Sequence, residues 1–121
     1  RGGRLIVVFQ PHLYSRTRDF APEFAIALGP ADEVVLLGVY AAREDPIKGV
    51  SSRLIIDRMS GRGPARPAVE EPDFEAALEH VLAVARPGDI VMTIGAGDVT
   101  TLAPRIAAGL ASRVERDGGR S

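Results

Sequence analysis

No cysteine occurs among the 121 residues, so disulfides and thiolate metal sites are unavailable, which suits a reducing compartment. Charge of one sign is missing too. Fifteen Lys and Arg stand against sixteen Asp and Glu, a net charge of −1 that offers no footprint for nucleic acid or a membrane surface. No apolar run approaches the roughly 18 residues of a membrane span. Arg1-Gly2-Gly3-Arg4 lacks the apolar core of a secretory signal and breaks at once into a strand-like run. The chain has no G-x-x-x-x-G-K-[ST] loop to cradle ATP phosphates, no H-E-x-x-H, no G-x-S-x-G and no internal repeat. It therefore does not hold a complete set of catalytic parts. What remains is an ordinary globular composition, 45% hydrophobic and 26% charged, and a length suited to one core. A single domain over residues 1–121 is expected. Residues 1–4 and about 114–121 are expected to be flexible ends, and both read as cuts from a longer chain.

Strand-like and helix-like segments alternate along this domain. Leu5-Ile6-Val7-Val8-Phe9 reads as a buried strand. Phe20, Phe24, Ala27 and Leu28 recur at helical spacing and Gly29 is a natural stop. Pro22 is tolerable only in a first helical turn, which predicts a helix starting near Asp19. Val34-Val35-Leu36-Leu37 is a second buried strand. Ser51 can cap a helix carrying Leu54, Ile55, Arg58 and Met59. Ser60 to Pro64 reads as a loop, followed by a short strand near Pro67 to Val69. Asp73 can cap a helix with Phe74, Ala77, Leu78, Val81, Leu82 and Ala85 on one face. Ile90 to Ile94 reads as a further buried strand. Leu102, Ile106 and Leu110 mark a last helix with Pro104 in its first turn. The rhythm predicts an α/β fold: a three-layer, Rossmann-like domain with a mainly parallel sheet and helices on both faces. Right-handed crossovers then bring every strand-to-helix loop to one sheet edge.

Three of those loops carry unusual chemistry. Gln10 to Arg18 supplies His12, Tyr14, Ser15, Arg16 and Thr17 directly after a buried strand. Arg16 offers a planar fork for a carboxylate or phosphate, and His12 can donate to an anion or relay a proton. A helix starting nearby is expected to add free N–H groups to this anion site. The bland alternative is solvated arginines and a histidine bonded to backbone. Tyr40 to Val50 contains Arg43, Glu44 and Asp45, either a salt-bridged turn or two carboxylates able to assist Mg²⁺ or an amine. Gly95-Ala96-Gly97-Asp98 lacks the third glycine of a dinucleotide fingerprint, since Thr100 stands there. It is either a tight turn or a place where backbone approaches a ligand closely. His80 reads as a surface residue.

The stretch Val8-Phe9-Gln10-Pro11-His12-Leu13-Tyr14-Ser15-Arg16-Thr17 resembles the C-terminal domain of the Mur ligases. Val39-Tyr40-Ala41-Ala42-Arg43-Glu44-Asp45-Pro46-Ile47, Gly49-Val50 and Gly95-Ala96-Gly97-Asp98 support the resemblance, which spans nearly the whole chain. The Q-P-H-x-Y-[ST]-R-T pattern is similar to the branch that joins L-alanine to UDP-N-acetylmuramate. The resemblance implies a cytoplasmic ATP-dependent ligase of peptidoglycan precursor synthesis. There, an acyl phosphate formed with ATP and Mg²⁺ is attacked by the alanine amine. It implies that ATP and Mg²⁺ are held mainly by a central domain and the UDP-sugar by an N-terminal domain. Neither domain is in this chain, which alone is expected to be inert. By the same resemblance, Arg16 holds the L-alanine carboxylate and His12 lines that pocket, with Tyr14, Thr17, Gly95, Gly97 and Asp98 as neighbours. The sequence departs from the family at Leu13, often a basic position, and lacks an upstream Asp-Tyr-Gly-His-His-Pro segment.

Two other readings fit the residues. One is a stand-alone Rossmann-like module for an anionic metabolite or nucleotide. The other is an interaction domain whose polar loops are merely solvated.

Overall fold

Leu5–Gln10 (β1) is apolar until its last residue because it runs through the middle of the sheet and is covered on both faces. In the computed structural model it is followed by α1 (Tyr14–Ala27), β2 (Glu33–Leu36), α2 (Arg53–Met59), β3 (Ala68–Glu70), α3 (Phe74–Val84), β4 (Ile90–Gly95) and α4 (Leu102–Gly118). The structure describes residues 3–59, 68–95, 99 and 101–118. The loop expected over Ser60 to Pro64, the start of the strand expected at Pro67, and Ala96, Gly97 and Asp98 lie outside the described residues.

The sheet has the order β3-β2-β1-β4, and every pair is parallel. Residues of β1 alternate between two cores. Val7 and Phe9, with Val34 and Leu36, pack on Ala21, Ala25 and Leu28 of α1 and its exit, and on Ile55 and Ile56 of α2. Val8, with Val35 and Leu37, packs on Ala77 and Val81 of α3 and on Leu102 and Ile106 of α4. The expected three layers result directly: β1 to β3 winds outward one way, the crossover through α3 returns the other way, and right-handedness puts α3 on the opposite face. The strand order reverses between β1 and β4. In open parallel sheets, ligands bind at such a switch point, outside the carboxyl ends of the strands.

Four expectations change. The first helix begins at Tyr14 rather than near Asp19, because the Leu13 carbonyl accepts the Thr17 N–H at 3.0 Å and closes a turn five residues earlier. Phe20 then leaves helical geometry (φ −118°, ψ 15°), and Pro22 falls in the first turn after that kink, where its missing N–H is harmless. Asp73 precedes α3 as expected, but its side chain makes no cap bond; Ser51 does cap α2, accepting from Arg53 N–H at 3.1 Å. The strand at Ile90 is an edge strand, so Ile90, Met92 and Ile94 lie 63%, 45% and 39% exposed on its uncovered face. The polar tail continues α4 as far as Gly118, since no residue between Leu110 and Asp117 breaks a helix.

Arg4, expected in a flexible end, instead ties three strands together at the amino edge of the sheet. Its guanidinium meets Glu33 Oε2 at 2.8 Å and Asp89 Oδ2 at 2.9 Å and donates to the Val84 carbonyl at 2.6 Å. Its backbone N–H adds a bond to Asp89 Oδ1 at 3.0 Å, and Asp89 also accepts the Arg86 N–H. The Arg4 guanidinium, with the Arg4 and Arg86 amides, holds the Asp89 carboxyl down at about 2, below its ordinary 3.8. A depressed folded-state value means stability that is complete above about 3.8 and fades as pH falls toward about 2. Asp89→Asn is therefore expected to lower stability at neutral pH and to flatten the acid limb across that window, as read from urea denaturation midpoints against pH.

Candidate functional site

The carboxyl end of β1 delivers Gln10, Pro11 and His12 to the switch point, and three contacts hold the chain there. The ladder between β1 and β2 reappears past the strand ends as a parallel bridge between His12 and Tyr40. Tyr40 N–H donates to the Pro11 carbonyl at 2.8 Å, and Leu13 N–H donates to the Tyr40 carbonyl at 2.9 Å. The His12 ring stacks on Tyr40 with centroids 5.7 Å apart and planes 21° from parallel. Both rings are half-buried.

Leu13 carries the strain of this arrangement. It sits at φ 70°, ψ 136°, a region that disfavours any residue with a Cβ. Its N–H is held by Tyr40, and its carbonyl accepts both the amide and the hydroxyl of Thr17, the latter at 2.8 Å. Thr17 is fully buried with that hydroxyl so engaged. Thr17, expected as a neighbour of the ligand, thus braces Leu13 from within the fold. Ala42, in the facing loop, has φ 55°. These are the positive-φ residues other than glycine among the described residues, and they flank one site. Strain of about 1–3 kcal/mol per residue persists where the surroundings over-determine it, commonly at functional sites.

Arg16 lies in the first turn of α1, four residues beyond His12, and is exposed. Among the described residues it forms no ion pair, as is also true of Arg43, Lys48, Arg58 and Arg86, whereas Arg4, Arg18, Arg53 and Arg105 each face a carboxylate. Tyr14 opens the helix and is half-buried. Of the N–H groups expected to be free at this helix start, that of Ser15 is taken. Glu44 reaches across from the 40–50 loop, and its carboxylate accepts the Ser15 N–H at 3.0 Å and the Ser15 hydroxyl. The Ser15 hydroxyl, with the Ser15 and Tyr14 amides and the charge of Arg18, holds the Glu44 carboxyl below the usual carboxylate range. The salt-bridged turn and the carboxylate pair both give way to this capping role for Glu44. Among the described residues no group of three His, Asp or Glu side chains could hold a metal ion.

The third loop joins through Gln10, a residue to which the sequence alone assigned no role. Its buried side-chain amide donates to the Gly38 carbonyl and accepts the Val99 N–H, both at 3.2 Å. One side chain thus spans the exits of β1, β2 and β4. Gly95 lies opposite Gln10 in the β1–β4 register at φ 136°. A Cβ there would stand 2.6 Å from the Gln10 carbonyl oxygen, so only glycine fits. Of the expected neighbours, Gly95 therefore has a demonstrated backbone role, while Gly97 and Asp98 lie outside the described residues.

The family model described as "Mur ligase, glutamate ligase domain" matches residues 1–97, a span that includes every element from β1 through β4. The chain belongs to the Mur ligase family. Over 110 residues it is 60% identical to a UDP-N-acetylmuramate–L-alanine ligase of Thermobifida fusca, covering 91% of this chain and 22% of that protein. A Saccharopolyspora erythraea protein of the same name is 55% identical over 117 residues, 97% of this chain and 23% of its own length. The Mur ligase chain thus spans under a quarter of the curated relatives it matches. Among solved structures, a domain from Haemophilus ducreyi 35000HP, assigned to a UDP-N-acetylmuramate:L-alanyl-gamma-D-glutamyl-medo-diaminopimelate ligase, superposes with a TM-score of 0.59 at 18% identity. That match covers 90% of this chain and 70% of the other, and establishes the Mur ligase fold. No helix among the described residues is long and apolar enough to cross a membrane.

Gly95→Ala is expected to cost on the order of 1–3 kcal/mol from backbone strain and the clash at Gln10, measured by urea denaturation. Gln10→Leu leaves the Val99 N–H and Gly38 carbonyl without their partner, and is expected to lower stability by about 1–3 kcal/mol in the same assay.

Proposed function

We propose that this chain is the amino-acid-binding, C-terminal part of an ATP-dependent ligase that joins L-alanine to UDP-N-acetylmuramate in cytoplasmic peptidoglycan precursor synthesis. The observation that supports the reading is an exposed Arg16, without an ion pair among the described residues, four positions after His12 on a strained and cross-braced loop at the switch point of the sheet. The names of the relatives support the choice of L-alanine and UDP-N-acetylmuramate.

The chemistry rests on the side chains. The Arg16 fork takes the alanine carboxylate through two parallel N–H···O bonds, which fixes the molecule and leaves its amine free. The half-buried His12 lines the same pocket against Tyr40. The amine attacks an acyl phosphate formed elsewhere with ATP: an amide bond forms, the C–O bond to phosphate breaks, and the amine sheds a proton. Alanine offers little apolar area to bind, so selectivity rests on a pocket too small for longer side chains. Following the family resemblance, Mg²⁺ and ATP are assigned to the remainder of the full-length protein. The isolated domain is inert on this reading.

Alanine-dependent phosphate release by the full-length protein, with ATP and UDP-N-acetylmuramate, tests it. Arg16→Ala is expected to raise the KM for L-alanine roughly 10- to 100-fold, the worth of a charge-assisted contact, with a smaller change in kcat. Arg16→Lys is expected to recover only part of that loss, because an ammonium lacks the fork. An unchanged alanine KM in Arg16→Ala would remove Arg16 from the pocket. Absence of alanine-dependent release in the wild type would overturn the ligase reading.

A further inference from the structure

The Glu44 contact does more than end a helix. Leu13, at the N-cap position, has no side chain able to accept an N–H, and α1 has no acidic residue in its first turn. The cap is supplied from 29 residues away, by a loop that leaves a different strand. That loop is itself shaped to present it: Ala42 is held at φ 55°, and Glu44 N–H donates to the Ala41 carbonyl at 2.9 Å. The receiving residue, Ser15, directly precedes Arg16. Any shift of Ser15 relative to the His12–Tyr40 bridge therefore moves the guanidinium relative to the imidazole. The seat that a helix N-terminus offers to an anion is also filled by the protein's own carboxylate. A substrate carboxylate is left to the Arg16 fork.

We propose that Glu44 is a positioning residue: its carboxylate, seated on the Ser15 hydroxyl and amide, latches the 40–50 loop to the start of α1 and sets the separation of Arg16 from His12. This rests on the alanine-binding reading of that pocket. The Tyr40 bridge fixes one end of the loop pair and the Glu44 latch the other, so the pocket is closed at two points rather than hinged at one.

The test is steady-state kinetics of the full-length protein with L-alanine varied, and separately with ATP varied. Glu44→Ala is expected to raise the alanine KM about tenfold, the scale of one charge-assisted hydrogen bond, with kcat and the ATP KM little changed. Ser15→Ala, which deletes only a hydroxyl, is expected to move the alanine KM in the same direction. The double variant is expected to be no worse than Glu44→Ala alone, since both changes break one contact. Glu44→Gln is expected to recover most of the loss, because an amide can bridge the Ser15 N–H and hydroxyl together. An unchanged alanine KM in both single variants, with wild type turning over, would overturn the latch and leave the ligase reading standing. A uniform loss across kcat and every KM would also overturn it, as plain destabilisation. Should Glu44→Ala fail to fold, Ser15→Ala and Glu44→Gln decide the matter by the same readouts. No alanine-dependent turnover in the wild type removes the ligase reading, and the proposal with it.

Discussion

One buried amide holds the site together. Gln10 is the last residue of the central strand, and its side chain bonds the loops leaving both neighbouring strands. A parallel sheet gathers its exits at one edge but does not by itself fix them against each other, because the ladder hydrogen bonds stop where the strands stop. Gln10 continues that ladder by one side chain. An unsatisfied buried amide is costly, so the three loops move together or the bond is lost. The close approach of Gly95 to the Gln10 carbonyl has the same origin: the exits are packed tightly enough that a methyl group has no room.

Around this anchor the polar groups divide their tasks. Thr17 and Tyr40 hold the strained Leu13, Glu44 caps the helix, and Arg4 with Glu33 and Asp89 secures the opposite edge. Glu44 and the Arg4 cluster thereby spend charge on structure. Arg16 stays exposed and His12 half-buried on the first loop.

Much of this was legible in the residues. Uninterrupted apolar runs at Leu5 and Val34 announced buried parallel strands, and helical spacing at Ala77, Val81, Leu102 and Ile106 placed the layers. The Q-P-H-x-Y-S-R-T stretch marked the candidate site. Three things were not legible. The break at Phe20 depends on a turn closed by Leu13 and Thr17, a contact that no propensity scale contains. The edge position of β4 depends on strand order, and Ile90-Val91-Met92-Thr93-Ile94 reads the same whether one face or two are covered. The bracing contact of Thr17 with the Leu13 carbonyl was the third, because a hydroxyl in a polar stretch reads as ligand chemistry until its burial is known.

The sequence by itself determined the elements, the layer architecture, the family and the identity of the residues gathered at the carboxyl edge. These depend on local periodicity and on short patterns of side-chain type, which are properties of neighbouring residues. The tertiary structure alone decided which of those residues stay free. Glu44 meets Ser15 across 29 positions, and Gln10 meets Val99 across 89. Whether a carboxylate or an amide is a ligand or a brace depends on what the fold brings within hydrogen-bond distance, and contacts that distant leave no periodic trace in the chain.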